Sequence, residues 1–139
     1  MTQSLVKNYL HIVFSTKNRV PLIKPEIEKD LYAYLGGICN NLNCSPIKIG
    51  GYKDHIHLLV LLSKKITLIE LMINLKSHSS KWIKTQGEPY KKFYWQKGYG
   101  AFSVNPTEIK TVMLYIDNQK EHHQKRDFSR RVHGFFEKV

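Results

Sequence analysis

Acidic residues are few in this chain and apolar runs are short. Asp and Glu number 11 against 22 Lys and Arg, a net charge of +11 with an isoelectric point near 9.7. That excess points to a polyanionic partner, most often nucleic acid, ahead of an anionic membrane surface. No stretch approaches the roughly 20 apolar residues of a membrane span. The N-terminal MTQSLVKNYLHIVF lacks the charged segment, unbroken apolar stretch and cleavage site of a secretion signal. A cytoplasmic protein with no membrane association is expected. Cysteine is scarce too: Cys39 and Cys44 in CNNLNC are the only two. A reducing cytosol keeps them as thiols, and a zinc site needs more soft ligands at closer spacing, so both are read as structural. Repeats, low-complexity segments and Pro/Gly/Ser linkers are also missing. With 139 residues the chain has the size of one domain, read as residues 1–139 with 126–139 as a polar, basic tail.

What is present is clear periodicity. From Leu5 to Phe14 the residues alternate, with Leu10, Ile12 and Phe14 on one face and Tyr9, His11 and Val13 on the other, a strand pattern. Pro25 at a first helical position opens a helix with Ile27, Leu31, Tyr34, Leu35, Ile38 and Leu42 at helical spacing, ending among Asn40, Asn41 and Asn43. Ile47 to Tyr52 and His55 to Leu62 flank a turn and predict an antiparallel hairpin. Thr67 with Glu70 forms a capping box, stapled by Ile66 and Leu71, for a helix whose stripe is Leu68, Leu71, Met72, Leu75 and Trp82. Tyr99 to Val104 predicts a fourth strand. Asn105, Pro106 and Glu108 then announce a helix running through Val112 and Tyr115 towards Lys125. The expectation is an α+β fold: a ferredoxin-like βαββαβ antiparallel sheet with helices on one face, plus a C-terminal helix carrying Tyr115. RNA-binding modules and several nucleases share that arrangement, so the fold alone does not select a function.

The sharpest chemical signal is HIHLL. His55 and His57 lie two apart on a strand, project from one face roughly 6–7 Å apart, and can share one metal ion. A half-buried histidine pair is the competing use. A histidine-triad nucleotide hydrolase is excluded, because Leu59 stands where that chemistry needs another histidine. Two imidazoles make an incomplete shell, so a further ligand is expected from elsewhere. A second signal is YIDNQKEHH, where Tyr115 and Gln119 are four apart on one helical face and His122 and His123 continue it. Tyr115 would serve core packing equally well.

Taken together, HIVFSTKNR on the first strand, DHIHLLV with the two histidines, and WQKGYGAFSV followed by YIDNQ resemble the single-tyrosine HUH transposases of bacterial insertion sequences over nearly the whole chain. The resemblance implies that His55 and His57 are metal ligands, that Tyr115 is the nucleophile and that Gln119 completes the metal shell; in this sequence His122 or His123 is close enough in helical register to compete with Gln119 as third ligand. It also implies a homodimer in which the tyrosine helix of one subunit can complete the site of the other, and single-stranded DNA with hairpin-forming ends as substrate.

These residues suit such a reaction. Phosphodiesters are attacked reluctantly, and Mg²⁺ or Mn²⁺ polarising a non-bridging oxygen supplies charge where the transition state needs it. A phenol, with an ordinary pKa of about 10, needs a metal or nearby cations to act as nucleophile. A link from Tyr115 to a 5′ phosphate would conserve the energy of the broken bond, so a 3′-OH could reseal DNA with no nucleotide cofactor. That agrees with the lack of a Walker loop and of paired acidic residues for two metals. Lys17, Arg19, Lys53, Lys81, Lys84, Lys91, Lys92 and Lys97 are candidate phosphate contacts, as are Lys7 and Lys76, with an ordinary solvated face as the alternative. Phe93, Tyr94, Trp95 and Tyr99, interleaved with lysines, are candidates to stack unpaired bases or to pack in the core. Replication initiators and relaxases, a non-catalytic ferredoxin-like binding module and a degenerate transposase are the alternatives. The short chain and the Tyr115–Gln119 spacing argue against the first, and the intact motifs against the last.

Overall fold

The computed structural model describes residues 4–120. Strand β1 (Asn8–Ser15) passes through a 3-10 turn at Lys17–Arg19 into helix α1 (Pro25–Asn41). Strands β2 (Ser45–Tyr52) and β3 (His55–Leu62) form a hairpin, followed by α2 (Leu68–Lys84), β4 (Gly100–Ser103) and α3 (Ile109–Asp117). The four strands make one antiparallel sheet in the order β2-β3-β1-β4. Among the described residues no helix is long and apolar enough to cross a membrane.

The local signals act as their chemistry requires. Pro25 occupies the first turn of α1, where its missing N–H costs nothing. Asn43 takes a left-handed backbone just after α1, a conformation asparagine tolerates. At the start of α2, Glu70 N donates to Thr67 Oγ1 at 3.1 Å while Thr67 N donates to Glu70 Oε1 at 3.2 Å, closing the capping box.

Four boundaries differ from the sequence pattern. β2 begins at Ser45, two residues before Ile47. β1 begins at Asn8, leaving Leu5 85% exposed, because the strand starts only where β3 offers a partner. β4 is one residue shorter at each end than Tyr99 to Val104. The last helix starts with a 3-10 turn at Pro106–Glu108, tightened by Thr107 N donating to Asn105 Oδ1 at 3.0 Å, and α3 proper closes at Asp117 with Asn118 as its cap. The expected continuation towards Lys125, with His122, His123 and the tail, lies outside the described residues.

Strand alternation divides the molecule into two cores. Leu10, Ile12 and Phe14 of β1 and Ile56, Leu58, Val60 and Leu62 of β3 pack under α1 and α2, with Leu31, Leu35, Leu71, Leu75 and Phe93 filling the same layer. Cys39 and Cys44 are buried there as free thiols. Burial, reinforced by the neighbouring Cys44, pushes the Cys39 thiol up to about 12, as suits an inert packing residue. On the opposite face α3 lays Val112 and Ile116 over Leu59 and Val104. β3 is therefore covered on both sides, which is why HIHLLVLL is almost continuously buried.

Gly50 of β2 lies opposite His57 in the register. A Cβ at this position would fall 2.7 Å from Ile116 Cγ2 and 2.9 Å from the Ile116 carbonyl oxygen. Only glycine lets α3 press this closely on the sheet. Gly50→Ala should cost about 1–3 kcal/mol through overpacking, read as a lowered urea midpoint with unchanged slope. An unchanged midpoint would mean that α3 does not seat against β2.

Candidate active site

The face of the sheet beneath α3 carries three histidines. His55 and His57 project from β3, and His11 projects from the same face of β1, where Val13 pairs with His57 and Ser15 with His55. All three are fully buried and Gln119 is 1% exposed. Ring centroids lie 5.0 Å apart for His55 and His57 and 5.0 Å for His11 and His57, the latter pair stacked at 29°. Tyr115 meets this cluster edge-on, 5.5 Å from the His57 centroid and 6.1 Å from that of His11. Its partly buried side chain comes down from the last turn of α3.

Hydrogen bonds orient the group. The β2–β3 turn places Asp54 beside His55, with Oδ1 2.8 Å from His55 Nδ1 and Oδ2 3.2 Å from Arg19 Nε. Burial by itself would raise the Asp54 carboxyl, but the hydrogen bond and charge of His55, together with Arg19, outweigh it and hold the group below its ordinary value. Asp54 is thus a carboxylate that only accepts, and His55 Nδ1 must donate to it. Arg19 and the adjacent Asn18 adopt left-handed backbone, φ 55° and 57°, in the turn that carries the guanidinium to Asp54. For arginine that conformation is strained, and here a charged hydrogen bond supports it.

The other ring nitrogen, His55 Nε2, lies 3.1 Å from Gln119 Oε1. Gln119 Nε2 donates to the Tyr115 carbonyl oxygen at 3.1 Å, which fixes the carboxamide with its oxygen towards the imidazole. With Nδ1 giving its proton to Asp54, a neutral His55 would set two acceptors face to face. A cation bridging the ring nitrogen and the carboxamide oxygen would relieve that apposition. Among the described residues no group of three or more His, Cys, Asp or Glu gathers into a metal cluster. The donor set that fits a cation is instead two imidazoles and a carboxamide.

Sequence reasoning named His55, His57, Tyr115 and Gln119, and the structure brings all four together; His122 lies outside the described residues. It missed Asp54, placed only in a turn, and His11, placed only on the second face of its strand. Their signals were present: an acidic residue directly preceding His55, and a histidine at an inward position of the neighbouring strand.

The basic candidates separate by environment. Arg19 pairs with Asp54, and Lys91 pairs with Glu88 at 2.7 Å. Lys76 is half-buried and donates to the carbonyls of Gln96 and Gly98, tying α2 to the loop before β4, with its ammonium pKa lowered by burial. Lys53 lies over the Tyr52 ring. Lys81, Lys92 and Lys97 are exposed. Trp95 was expected to stack bases or pack in the core, and it does the latter: it sits edge-on against Phe14 and Phe93 at 4.8 Å and donates from Nε1 to Ser79 at 2.9 Å. Phe93 is buried. Tyr94, 57% exposed, is the aromatic of this segment that faces solvent, with Lys84 and Lys17 ammonium groups 4.3 and 5.9 Å from its ring centre.

The family model described as "Transposase IS200 like" matches residues 4–119. The chain belongs to the IS200-like transposase family. In this transposase the match ends at Gln119, so it contains every residue of the cluster above. Two solved structures share the fold. One, a protein designated a transposase from Deinococcus radiodurans R1, is 20% identical with a TM-score of 0.67, covering 86% of this chain and 98% of that one. The other, a REP-associated tyrosine transposase bound to a REP hairpin, is 11% identical with a TM-score of 0.66, covering 88% and 73%. A comparison with curated protein sequences finds no match.

The Arg19–Asp54–His55 chain carries its own pH signature. Asp54→Asn should lower stability at neutral pH by about 1.5–3 kcal/mol, the value of a charge-assisted hydrogen bond. Because folding depresses the Asp54 pKa, this contribution is complete above the unfolded value of about 4 and fades as pH falls through the lower folded value. Urea midpoints of the two proteins should therefore differ at pH 7 and converge below pH ~4. A pH-independent difference would show that the carboxylate charge is not what matters.

Proposed function

We propose that this transposase cuts and rejoins single-stranded DNA at insertion-sequence ends through a 5′-phosphotyrosine on Tyr115. The observation that supports this most is the meeting of Tyr115 with a buried histidine pair and of Gln119 with His55, 64 residues away in sequence. Packing does not require a tyrosine edge, two imidazoles and a carboxamide oxygen at one point. The βαββαβ order with α3 on the open sheet face is read as the ferredoxin-like frame of an HUH nuclease.

A divalent cation, Mg²⁺ or Mn²⁺, held by His55, His57 and Gln119, would supply positive charge to a non-bridging phosphate oxygen and fix the scissile group. His55 presents Nε2 because Asp54 grips Nδ1, and Gln119 presents Oε1 because its amide nitrogen is tied to Tyr115 O. Tyr115 Oη attacks phosphorus: the Tyr115 O–P bond forms, the P–O3′ bond breaks, and the departing 3′ oxygen takes a proton. A second 3′-hydroxyl then attacks the phosphotyrosine, reforming P–O3′ and returning the phenol, with no nucleotide cofactor consumed. In this chain α3 lies on its own sheet, which supports a site that can form within one subunit. A homodimer is part of the proposal.

The solved relative bound to a REP hairpin supports DNA with hairpin-forming ends as substrate here. Tyr94, between Lys17 and Lys84, is the surface best suited to a base and its flanking phosphates.

Purified protein with Mn²⁺ or Mg²⁺ and labelled single strands from the flanks of its gene should give a denaturation-resistant adduct that is lost in Tyr115→Phe and without metal. Binding with no adduct under any metal would leave a non-catalytic binding module or a degenerate transposase. On the same strands, Tyr94→Ala should weaken binding by about 1–3 kcal/mol. Lys17→Ala with Lys84→Ala should flatten the salt dependence by about 0.7 per lost phosphate contact. Anisotropy titrations across salt measure both, and unchanged slopes would place the strand elsewhere.

A further inference from the structure

We infer that His11 is a positioning residue: it accepts the Nδ1 proton of His57 and thereby holds that ring with its Nε2 lone pair directed at the metal. The inference rests on the metal reading proposed above and extends it to a residue outside the HIH motif. His11 Nε2 lies 2.8 Å from His57 Nδ1, both rings are fully buried and they stack at 29°. A neutral imidazole that ligates through one nitrogen carries its proton on the other, and that proton needs an acceptor. For His55 the acceptor is the Asp54 carboxylate. For His57, buried away from bulk water, the corresponding acceptor is the His11 ring nitrogen.

The sheet makes this pairing specific. His11 pairs directly with Leu59, so it meets His57 along the diagonal, two residues off in β3 and on the same face. An apolar side chain would fill the position under α3 as well as an imidazole does; Leu59, Val112 and Ile116 form that layer. A histidine here adds a ring nitrogen acceptor where the neighbouring ligand needs one. In this role it is neutral, in contrast to the carboxylate behind His55. The two ligand rings are therefore oriented by unlike partners, one anionic and linked to Arg19, the other uncharged and enclosed.

The test separates orientation from packing. His11→Phe keeps the ring and removes the acceptor, while His11→Gln keeps an acceptor at the reach of Nε2. Mn²⁺ affinity of the full chain, followed by titration calorimetry or Mn²⁺ resonance without DNA, should fall by about 10- to 100-fold in His11→Phe. It should recover most of that loss in His11→Gln. Equal weakening in both variants, or wild-type affinity in a folded His11→Phe protein, would overturn the inference. Should His11→Phe fail to fold, long-range ¹⁵N spectra of wild-type imidazoles decide: a proton on His57 Nδ1 is expected, and one on Nε2 overturns it. His55→Ala and His57→Ala serve as the reference. If both retain wild-type Mn²⁺ binding, the metal reading itself fails, a result distinct from failure of the His11 inference alone.

Discussion

The register between β1 and β3 is the constraint on which the site depends. Side chains alternate with period two, so pairing Ser15 with His55 and Val13 with His57 sends both β3 imidazoles and His11 to the α3 face. The same register sends Phe14, Ile12 and Leu10 with Ile56, Leu58 and Val60 to the α1 and α2 face. A slip of one residue would turn one strand over relative to the other, sending either His11 or the His55–His57 pair into the apolar layer without partners and bringing leucine and isoleucine beneath Tyr115 in its place. The large apolar face under the two long helices thus secures the orientation of the polar cluster on the other side.

That cluster is enclosed, and burial dictates its hydrogen bonding. His55 spans from Asp54 to Gln119, His57 reaches His11, and Gln119 returns to the backbone of Tyr115. These contacts tie the sheet to the segment bearing the tyrosine and to the turn before β3, so α3 is seated by polar as well as apolar contacts. Gly50 contributes by absence of a side chain, allowing Ile116 to approach β2. The Lys17–Arg19 turn contributes through strain: its left-handed residues deliver Arg19 to Asp54, and backbone bonds from Thr16 to the Asp54 carbonyl and from Ile23 to that of Lys53 anchor both ends.

The segment from Phe93 to Tyr99 shows how one composition divides into unlike roles. Phe93 and Trp95 turn inward, with Trp95 against Phe14, while Tyr94 turns outward between two ammonium groups. Thr16 bridges to Trp95, and Gln96 N donates to Ser15 O at 2.8 Å, so the segment runs beside the end of β1 with strand-like alternation. Alternation is what leaves a single aromatic of the Phe93–Trp95 run for a ligand.

Periodicity, caps and turn residues make the succession of strands and helices legible in the sequence alone, because those signals are local: Pro25 at a helix start, Thr67 with Glu70, the two-residue alternation of β1. HIH and Tyr115 with Gln119 are legible because residues two apart on a strand or four apart on a helix share a face whatever surrounds them. The strand order, the seating of α3 over the histidines and the partner of His57 Nδ1 are decided by tertiary structure alone. His11 and Asp54 acquire roles only when β1 comes to lie beside β3 and the β2–β3 turn meets Arg19. Those contacts join residues far apart in sequence, and no local spacing encodes which buried imidazole will need which acceptor.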